Sequence, residues 1–386
     1  MNTKTKVLIG VISAVAILLF GAVCFLLGSY RQLKANVDSR QEVLVESSEP
    51  EETAEVTEHQ EVSNEGKQEE QGEQEMPEQT SSNAVYEPVY GALSVKGTKL
   101  VDKTGHPVQL KGVSTHGLQW YPEYVNEDAI KTLHEDWKAN VLRLAMYTNE
   151  GGYCSGADKE QLEEVIDQGV KLTGENKMYC IIDWHILSDC HPVQYQNEAK
   201  DFFGRMSAKY KDCDHVIYEI CNEPNSGANW DEIKSYADDV IPAIRANDKD
   251  AIILVGTPTW SQDVDEVAKN PLANGDNVMY VCHFYAATHK DDLRRKVEKA
   301  LDAGTPIFVS EFSICDASGN GGLDYDSAAK WMELLNENNI SYVGWNLANK
   351  QESSSMIRPD CTKTSGWSEG ELNESGQWMR RTMRGE

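Results

Sequence analysis

One feature constrains this chain above all others: from Val108 onward, eight short apolar runs alternate with longer stretches of helical spacing. The runs are Val108–Ser114, Asn140–Met146, Met178–Trp184, Val216–Cys221, Ala251–Gly256, Val278–Phe284, Pro306–Glu311 and Ser341–Asn346. In the fourth, Ile217 and Ile220, with Tyr218 and Cys221, suit a strand covered on both faces of a parallel sheet. Between them, Lys159–Thr173, Glu198–Tyr210, Trp230–Ala246, Leu293–Ala303 and Ser327–Asn338 read as helices. In the first of these, Leu162, Val165, Ile166, Gly169, Val170 and Leu172 keep to one helical face. Eight strand-then-helix units predict an α/β fold, a (β/α)8 barrel. A doubly wound open sheet is the alternative, and it favours a glycine-rich phosphate loop after the first strand. Gly112-Val113-Ser114-Thr115-His116-Gly117 is not such a loop. Leu93–Val101 precedes the barrel as a short β-hairpin turning at Lys96-Gly97-Thr98.

A barrel gathers the C-terminal ends of its strands on one face, where such folds keep their chemistry. Polar and aromatic residues collect there. Strand one leads to His116 and Trp120; strand two carries Arg143 and leads to Tyr147; strand three ends in Asp183-Trp184-His185. Asn222-Glu223 closes strand four, Trp260 follows five, His283 and Tyr285 end six, Ser310-Glu311 end seven, and eight carries Trp345. A lone histidine is more often a satisfied structural group, and a lone tryptophan more often core. Packing does not explain their arrival from eight separate strands. Strand four stops at Pro224, which has no backbone N–H. Inside it Glu219 is a carboxylate among apolar neighbours and needs a partner. Glu223 and Glu311 stand at opposite sides of the mouth. Paired carboxylates suit glycoside hydrolysis, and flat Trp and Tyr faces with polar tips suit a sugar polymer.

The stretches Gly112–Tyr121 (GVSTHGLQWY), Asn140–Tyr147 (NVLRLAMY), Ile181–His185 (IIDWH), Tyr218–Pro224 (YEICNEP), Gly256–Val264 (GTPTWSQDV), Val281–Tyr285 (VCHFY), Ile307–Phe312 (IFVSEF) and Gly344–Ser355 (GWNLANKQESSS) together resemble glycoside hydrolase family 5. Within it they are similar to the bacterial endo-β-1,4-glucanases of subfamily 2, over essentially all of 90–380. The resemblance implies a (β/α)8 barrel that hydrolyses β-1,4-glucan with retention. It implies Glu223 as general acid/base and Glu311 as nucleophile, with Asn222 bonding the sugar 2-hydroxyl. Arg143 and Tyr285 would surround the nucleophile, and His185 and His283 would line the cleavage point. Trp120 and Trp345, with His116, Lys350 and Glu352, would bind sugars on the non-reducing side, Trp260 a sugar on the leaving-group side, and Tyr147 would also touch substrate. Arg143 is expected to lower the Glu311 pKa, and the Glu311 charge to raise that of Glu223. A β-mannanase or mixed-linkage glucanase is the alternative within the family. A non-catalytic glucan-binding barrel is the alternative of another class, and the joint presence of Glu223, Glu311, Arg143 and Tyr285 argues against it.

Upstream the composition changes. Val7–Gly28 is a 22-residue run without charge, long enough to span a bilayer as a transmembrane helix. It is longer than the apolar region of a cleaved signal peptide and ends in Phe25-Leu26-Leu27. Residues 1–34 are therefore expected to be a membrane anchor, with a cleaved signal as the alternative. Between Gln41 and Thr80 there are fourteen Glu, one Lys and no aromatic residue. Such a segment cannot bury enough apolar surface to order itself, and its charges extend it, so 35–84 read as a disordered linker. Residues 85–386 are the expected catalytic domain, monomeric and, since polymeric glucan does not cross membranes, outside the cell. The net charge is −27, about −18 of it within 81–386, which excludes nucleic acid as a partner. There is no His-Glu-x-x-His, no Cys/His cluster with zinc spacing and no phosphate loop, so neither metal nor cofactor is expected. Cys180, Cys221 and Cys282 read as small buried apolar groups. Cys154 and Cys190 are a candidate disulfide for an oxidising compartment.

Overall fold

In the computed structural model, the strand-like runs pair side by side in sequence order and close on themselves. Residues 86–386 are described. The expected anchor and linker lie outside them. Among the described residues, no helix is long and apolar enough to cross a membrane. Ser94–Lys96 (β1) and Lys99–Val101 (β2) form the antiparallel hairpin, turning through Gly97 at φ +60°. Then come Lys111–Thr115 (β3), Val141–Tyr147 (β4), Tyr179–His185 (β5), Val216–Glu219 (β6), Ile252–Val255 (β7), Val278–Tyr285 (β8), Ile307–Ser313 (β9) and Tyr342–Leu347 (β10). These eight make a closed parallel barrel in which β10 pairs with both β9 and β3. At residue 112 a side chain would bring a Cβ to 1.8 Å from the Val141 carbonyl oxygen, so β3 approaches β4 because that position is glycine.

Helices follow the strands: Glu127–Glu135 (α1), Lys159–Glu175 (α2), Gln196–Tyr210 (α3), Trp230–Arg245 (α4), Asp291–Asp302 (α5), Tyr325–Glu337 (α6) and, after β10, Glu374–Arg384 (α7). The starts of α1, α2, α4 and α6 are set by Asn126, Asp158, Asn229 and Asp324. Each accepts a backbone N–H from the first helical turn, worth about 1 kcal/mol apiece. After β7 only the short turns Pro258–Ser261 and Val264–Val267 stand in for a helix.

Most strand limits fall within a residue of expectation; three differ by more, one of them the end of β9 at Ser313, two residues past Glu311. β3 begins at Lys111, because Val108 donates its N–H to Leu100 of the hairpin instead. β6 ends at Glu219 rather than Cys221; Ile220 N–H still reaches the Leu254 carbonyl, but the chain then leaves the ladder.

The barrel interior is layered. At its N-terminal end Val141, Tyr179, Ile181, Ile217, Ile252, Leu254, Met279, Val281, Phe308 and Val343 pack against Leu93, Leu100, Val108 and Leu110, so the hairpin plugs the bottom. The alternate residues of the same strands, such as Leu142, Leu144, Cys180, Ile182 and Tyr218, face outward against the helices. Each fully buried aliphatic side chain contributes ~1.5–3 kcal/mol. Two residues further along β3, β4, β5, β6 and β8, the inward positions turn polar: Ser114, Arg143, Asp183, Glu219 and His283 are all buried.

Cys154 and Cys190 are free thiols, so the disulfide considered between them is not formed. Cys190 sits at φ +60° in its own turn, and its sulfur faces the Ser188 carbonyl at 3.2 Å.

Candidate active site

Arg143 is the centre of the polar layer. Its side chain is fully buried and its guanidinium is forked over Glu219, with Nε 2.8 Å from Oε2 and Nη2 3.1 Å from Oε1. This is the partner Glu219 needed. Nη2 also lies 2.7 Å from Asn222 Oδ1 and 2.9 Å from Asp183 Oδ2; Nη1 lies 3.3 Å from both Ser114 Oγ and Glu311 Oε2. Strand register creates this meeting, since β3–β4 pairs Ser114 with Arg143 and β5–β6 pairs Asp183 with Glu219.

Above it lie the two predicted carboxylates. Glu311 is the register partner of His283 across β8–β9, and Tyr285 donates its hydroxyl to Glu311 Oε1 at 2.8 Å. Glu223 lies beyond the end of β6, and its Oε1 is 3.0 Å from His283 Nδ1. One oxygen from each carboxylate and a ring nitrogen of His283 all lie within 4.8 Å of one another. Among the described residues, these three groups are the cluster that could hold a cation.

Burial dominates the electrostatics. It pushes Glu223 up to about 8, helped by Asp183 and Glu219 and opposed by Arg143. It pushes Glu311 up to about 7, helped by Glu223 and opposed by His283, Arg143 and the Tyr285 hydroxyl. The expected net effect on Glu311 and the expected main cause for Glu223 are thereby corrected. Arg143 does pull Glu311 down, but it is shared with Glu219 and Asp183, and desolvation outweighs it. Glu223 is raised by its surroundings as a whole rather than mainly by Glu311. His185 and His283 are held neutral, both pushed down chiefly by burial.

His185 Nδ1 lies 2.7 Å from Asp183 Oδ2, and Nε2 lies 3.3 Å from Asn222 Nδ2. Nδ1 therefore carries the hydrogen, and Nε2 accepts from the amide. Asn222 also donates to the Ile186 carbonyl at 3.0 Å. Its position depends on a close approach by β7, where a Cβ on Gly256 would lie 2.3 Å from the Cys221 carbonyl oxygen.

The turn after β7 is tied to the same segment. Ser261 Oγ donates to the Asn222 carbonyl at 2.6 Å, and Trp260 N–H to the Pro224 carbonyl at 2.9 Å. Thr259, Trp260 and Ser261 all have positive φ, between 54° and 59°. Left-handed non-glycine residues of this kind each cost ~1–3 kcal/mol. The turn holds Trp260 out at 44% exposure on one side of the opening.

A cavity of about 580 Å³ opens between these elements, lined among others by His116, Tyr147, His185, Glu223, Trp260, His283, Tyr285, Glu311, Trp345, Lys350 and Glu352. Trp345, only 7% exposed, stacks on His185 with ring centres 5.3 Å apart, and Tyr147 packs on His185 at 4.1 Å. Trp120 lies just outside, 44% exposed and 4.9 Å from Tyr147. Lys350 Nζ pairs with Glu352 Oε2 at 2.7 Å and lies 3.3 Å from His116 Nε2, while Asn346 and Ser354 donate to Glu352 Oε1. Arg143 and Asn222 sit beneath the floor rather than in it. Sequence reasoning missed His289, Gln262 and Ala317-Ser318-Gly319, which also line the cavity. It gave no role to Ser310, though Ser310 stood beside Glu311 at a strand end.

Residues 101–351 match the family model for cellulase, glycosyl hydrolase family 5. The chain belongs to glycoside hydrolase family 5. It is 48% identical over 298 residues to an endoglucanase of Clostridium saccharobutylicum, covering 76% of this chain and 65% of that protein. It is 49% identical over 294 residues to endoglucanase A of Butyrivibrio fibrisolvens, covering 75% and 68%. The family 5 chain thus spans about two thirds of the length of these relatives. Among solved structures, it superposes on the cellulase Cel5C_n with TM-score 0.74 at 44% identity, covering 77% of this chain and 94% of that one. The catalytic domain of the Thermobifida fusca endoglucanase Cel5A in complex with cellotetraose gives TM-score 0.73 at 37% identity, covering 76% and 98%.

Proposed function

We propose that this family 5 barrel is a retaining endo-β-1,4-glucanase acting on cellulose and related β-glucans. The observation that carries the reading is that one oxygen of Glu223 and one of Glu311 lie within 4.8 Å of each other, with His283 between their strands. Retaining enzymes hold the two carboxyl groups ~5–5.5 Å apart, whereas inverting enzymes need ~6.5–9.5 Å to admit a water. Glu311 attacks the anomeric carbon while Glu223 gives its proton to the leaving oxygen. The glycosyl ester on Glu311 is then opened by water, whose proton returns to Glu223. Arg143 and the Tyr285 hydroxyl hold Glu311 in line and stabilise its charge. The relatives named endoglucanases, and the neighbour bound to cellotetraose, support the substrate class. Reducing-sugar release by the full chain from carboxymethylcellulose, β-mannan and mixed-linkage glucan tests it; mannan preferred over both glucans would defeat the glucanase reading.

The proposal includes location. Val7–Gly28 anchors the protein, the acidic linker holds the barrel away from the membrane, and the barrel works outside the cell as a monomer. Recovery of the mature protein without residues 1–34 in the soluble extracellular fraction would favour a cleaved signal instead.

Two expected results follow. The carboxylate pair titrates near 7 and 8, so kcat/KM should be bell-shaped. It rises as Glu311 loses its proton and falls as Glu223 loses its own, with the maximum between. A plateau extending to pH 10 would remove Glu223 as the acid. Secondly, Trp120→Ala and Trp260→Ala should weaken cello-oligosaccharide binding with little change in thermal midpoint, because both rings are 44% exposed. Trp345→Ala should weaken binding and also lower stability, since its ring is nearly buried; truncating a buried aromatic costs ~3–5 kcal/mol.

A further inference from the structure

A chain of hydrogen bonds runs beneath the barrel floor from Arg143 to Glu223, through two residues with no part in the two-carboxylate reaction. Arg143 donates to both oxygens of Glu219. Ser310 Oγ is 2.8 Å from Glu219 Oε1 and 3.0 Å from His283 Nε2, and His283 Nδ1 is 3.0 Å from Glu223 Oε1. Glu219, Ser310 and His283 are all buried. We propose that Glu219 and Ser310 are positioning residues that fix the tautomer of His283, so that its Nδ1 lone pair faces Glu223 as an acceptor.

The direction of each bond follows from donor counting. Burial pushes the Glu219 carboxyl up, but the guanidinium fork opposes this and occupies both oxygens, the arrangement of an ionised acceptor. The single Ser310 hydrogen goes to Glu219. Its oxygen can then only accept, and the one hydrogen within reach is on His283 Nε2. A neutral imidazole protonated at Nε2 carries a lone pair at Nδ1. The contact with Glu223 is satisfied when Glu223 is the donor, that is, when it holds its acid proton.

The arrangement acts in both half-reactions. Before cleavage it gives the Glu223 proton a hydrogen-bond partner and so keeps the acid protonated until that proton turns to the leaving oxygen. Once that proton has passed to the leaving oxygen, a carboxylate oxygen faces a lone pair at 3.0 Å. This contact raises the affinity of Glu223 for a proton, so it draws one from the attacking water as the hydroxyl adds to the anomeric carbon. His283 gains and loses no proton. The charged groups bearing on Glu223 are Arg143, Asp183 and Glu219, and those bearing on His283 are Glu311, Arg143 and Glu219. None of them supplies an alternative acceptor to Nε2 at 3.0 Å; Glu219 Oε1 is 3.9 Å away.

Ser310→Ala tests the inference, with Ser310→Thr as the conservative control. Without the hydroxyl, Nε2–H has no acceptor. The ring hydrogen then moves to Nδ1, where it donates to the Glu223 carboxylate and weakens the acid. The alkaline limb of kcat/KM should move down by about one pH unit. For the full chain on an alkyl cellobioside, whose leaving group needs protonation, kcat/KM should fall roughly tenfold, part of the ~10²–10⁴ that acid–base catalysis supplies. On dinitrophenyl cellobioside, which needs no acid, it should change by less than about twofold, and Ser310→Thr should restore both. Equal losses on the two substrates, or an unmoved alkaline limb, would overturn the proposal. It rests on the glucanase reading, so the unaltered chain must first hydrolyse both cellobiosides; failure there sinks that reading and not the hydrogen-bond order. Nitrogen NMR of the unaltered chain, labelled in histidine, is independent of activity. A His283 ring protonated at Nε2 supports the proposal, and one protonated at Nδ1 refutes it.

Discussion

Replacing Glu311 by alanine should abolish turnover, a loss on the order of 10⁴–10⁶ as when a covalent nucleophile is removed from other hydrolases. The fold should survive, because Glu311 sits at the rim of the polar layer and Arg143 keeps Glu219 and Asp183 as partners. Glu223→Ala is the informative companion. It should be slow on cellulose, for want of an acid, yet still form the glycosyl ester from dinitrophenyl cellobioside. Added azide should then speed release, since a small anion needs no general base and can occupy the space the carboxylate left. Proton NMR of the first-formed sugar settles the stereochemistry. A β-linked substrate must give β product through two displacements, and initial α product would mean a single displacement and a different role for Glu311.

Arg143→Met should cost the most stability of any single change in the site, ~3–5 kcal/mol, the usual penalty for leaving a buried charge without its partner. The arithmetic is local. One guanidinium faces Glu219, Asp183 and Glu311, and also holds the Asn222 amide oxygen and the Ser114 hydroxyl. Methionine fills similar volume and supplies none of these donors. The carboxyls would have to take up protons or admit water. Arg143→Lys should recover only part of the loss, because an ammonium is a point charge and cannot fork over Glu219. The urea midpoint reports the result; a shift worth less than ~1 kcal/mol for Arg143→Met would show that the layer is neutral without its arginine.

The barrel could be read from sequence because both faces of its strands are buried. The inward face meets the hairpin plug and the outward face meets helices, so Val141, Leu142, Tyr179 and Cys180 are all apolar. Glu223 and Glu311 were readable for the converse reason, as charges where such strands end. Other features left no such trace. Glu219 announced the need of a partner without naming Arg143, 76 residues away, because register across three strands decides that pairing. The strength of Arg143 as a local charge depends on how many carboxylates share it, which only packing reveals. The left-handed turn at Thr259–Ser261 contradicts the ordinary preferences of all three residues, so no local pattern could signal it. Ser310 looked like any buried hydroxyl until the direction of its hydrogen bonds was known.

That turn bears on how such an enzyme can diversify. Trp260 N–H and the Ser261 hydroxyl are fastened to the main-chain carbonyls of Pro224 and Asn222, on either side of Glu223. On the proposed roles, an insertion or altered residue there reshapes the leaving-group platform and moves the acid at once, so selection for a new aglycone is also selection on the rate of bond cleavage. The opposite wall is fastened differently. Lys350 and Glu352 are held by Asn346, Ser354 and each other, with no bond to the carboxylate pair. Descendants of this barrel should therefore accumulate substitutions freely around Lys350 and Glu352 as their substrates change, while Thr259–Ser261 varies only together with Asn222-Glu223-Pro224.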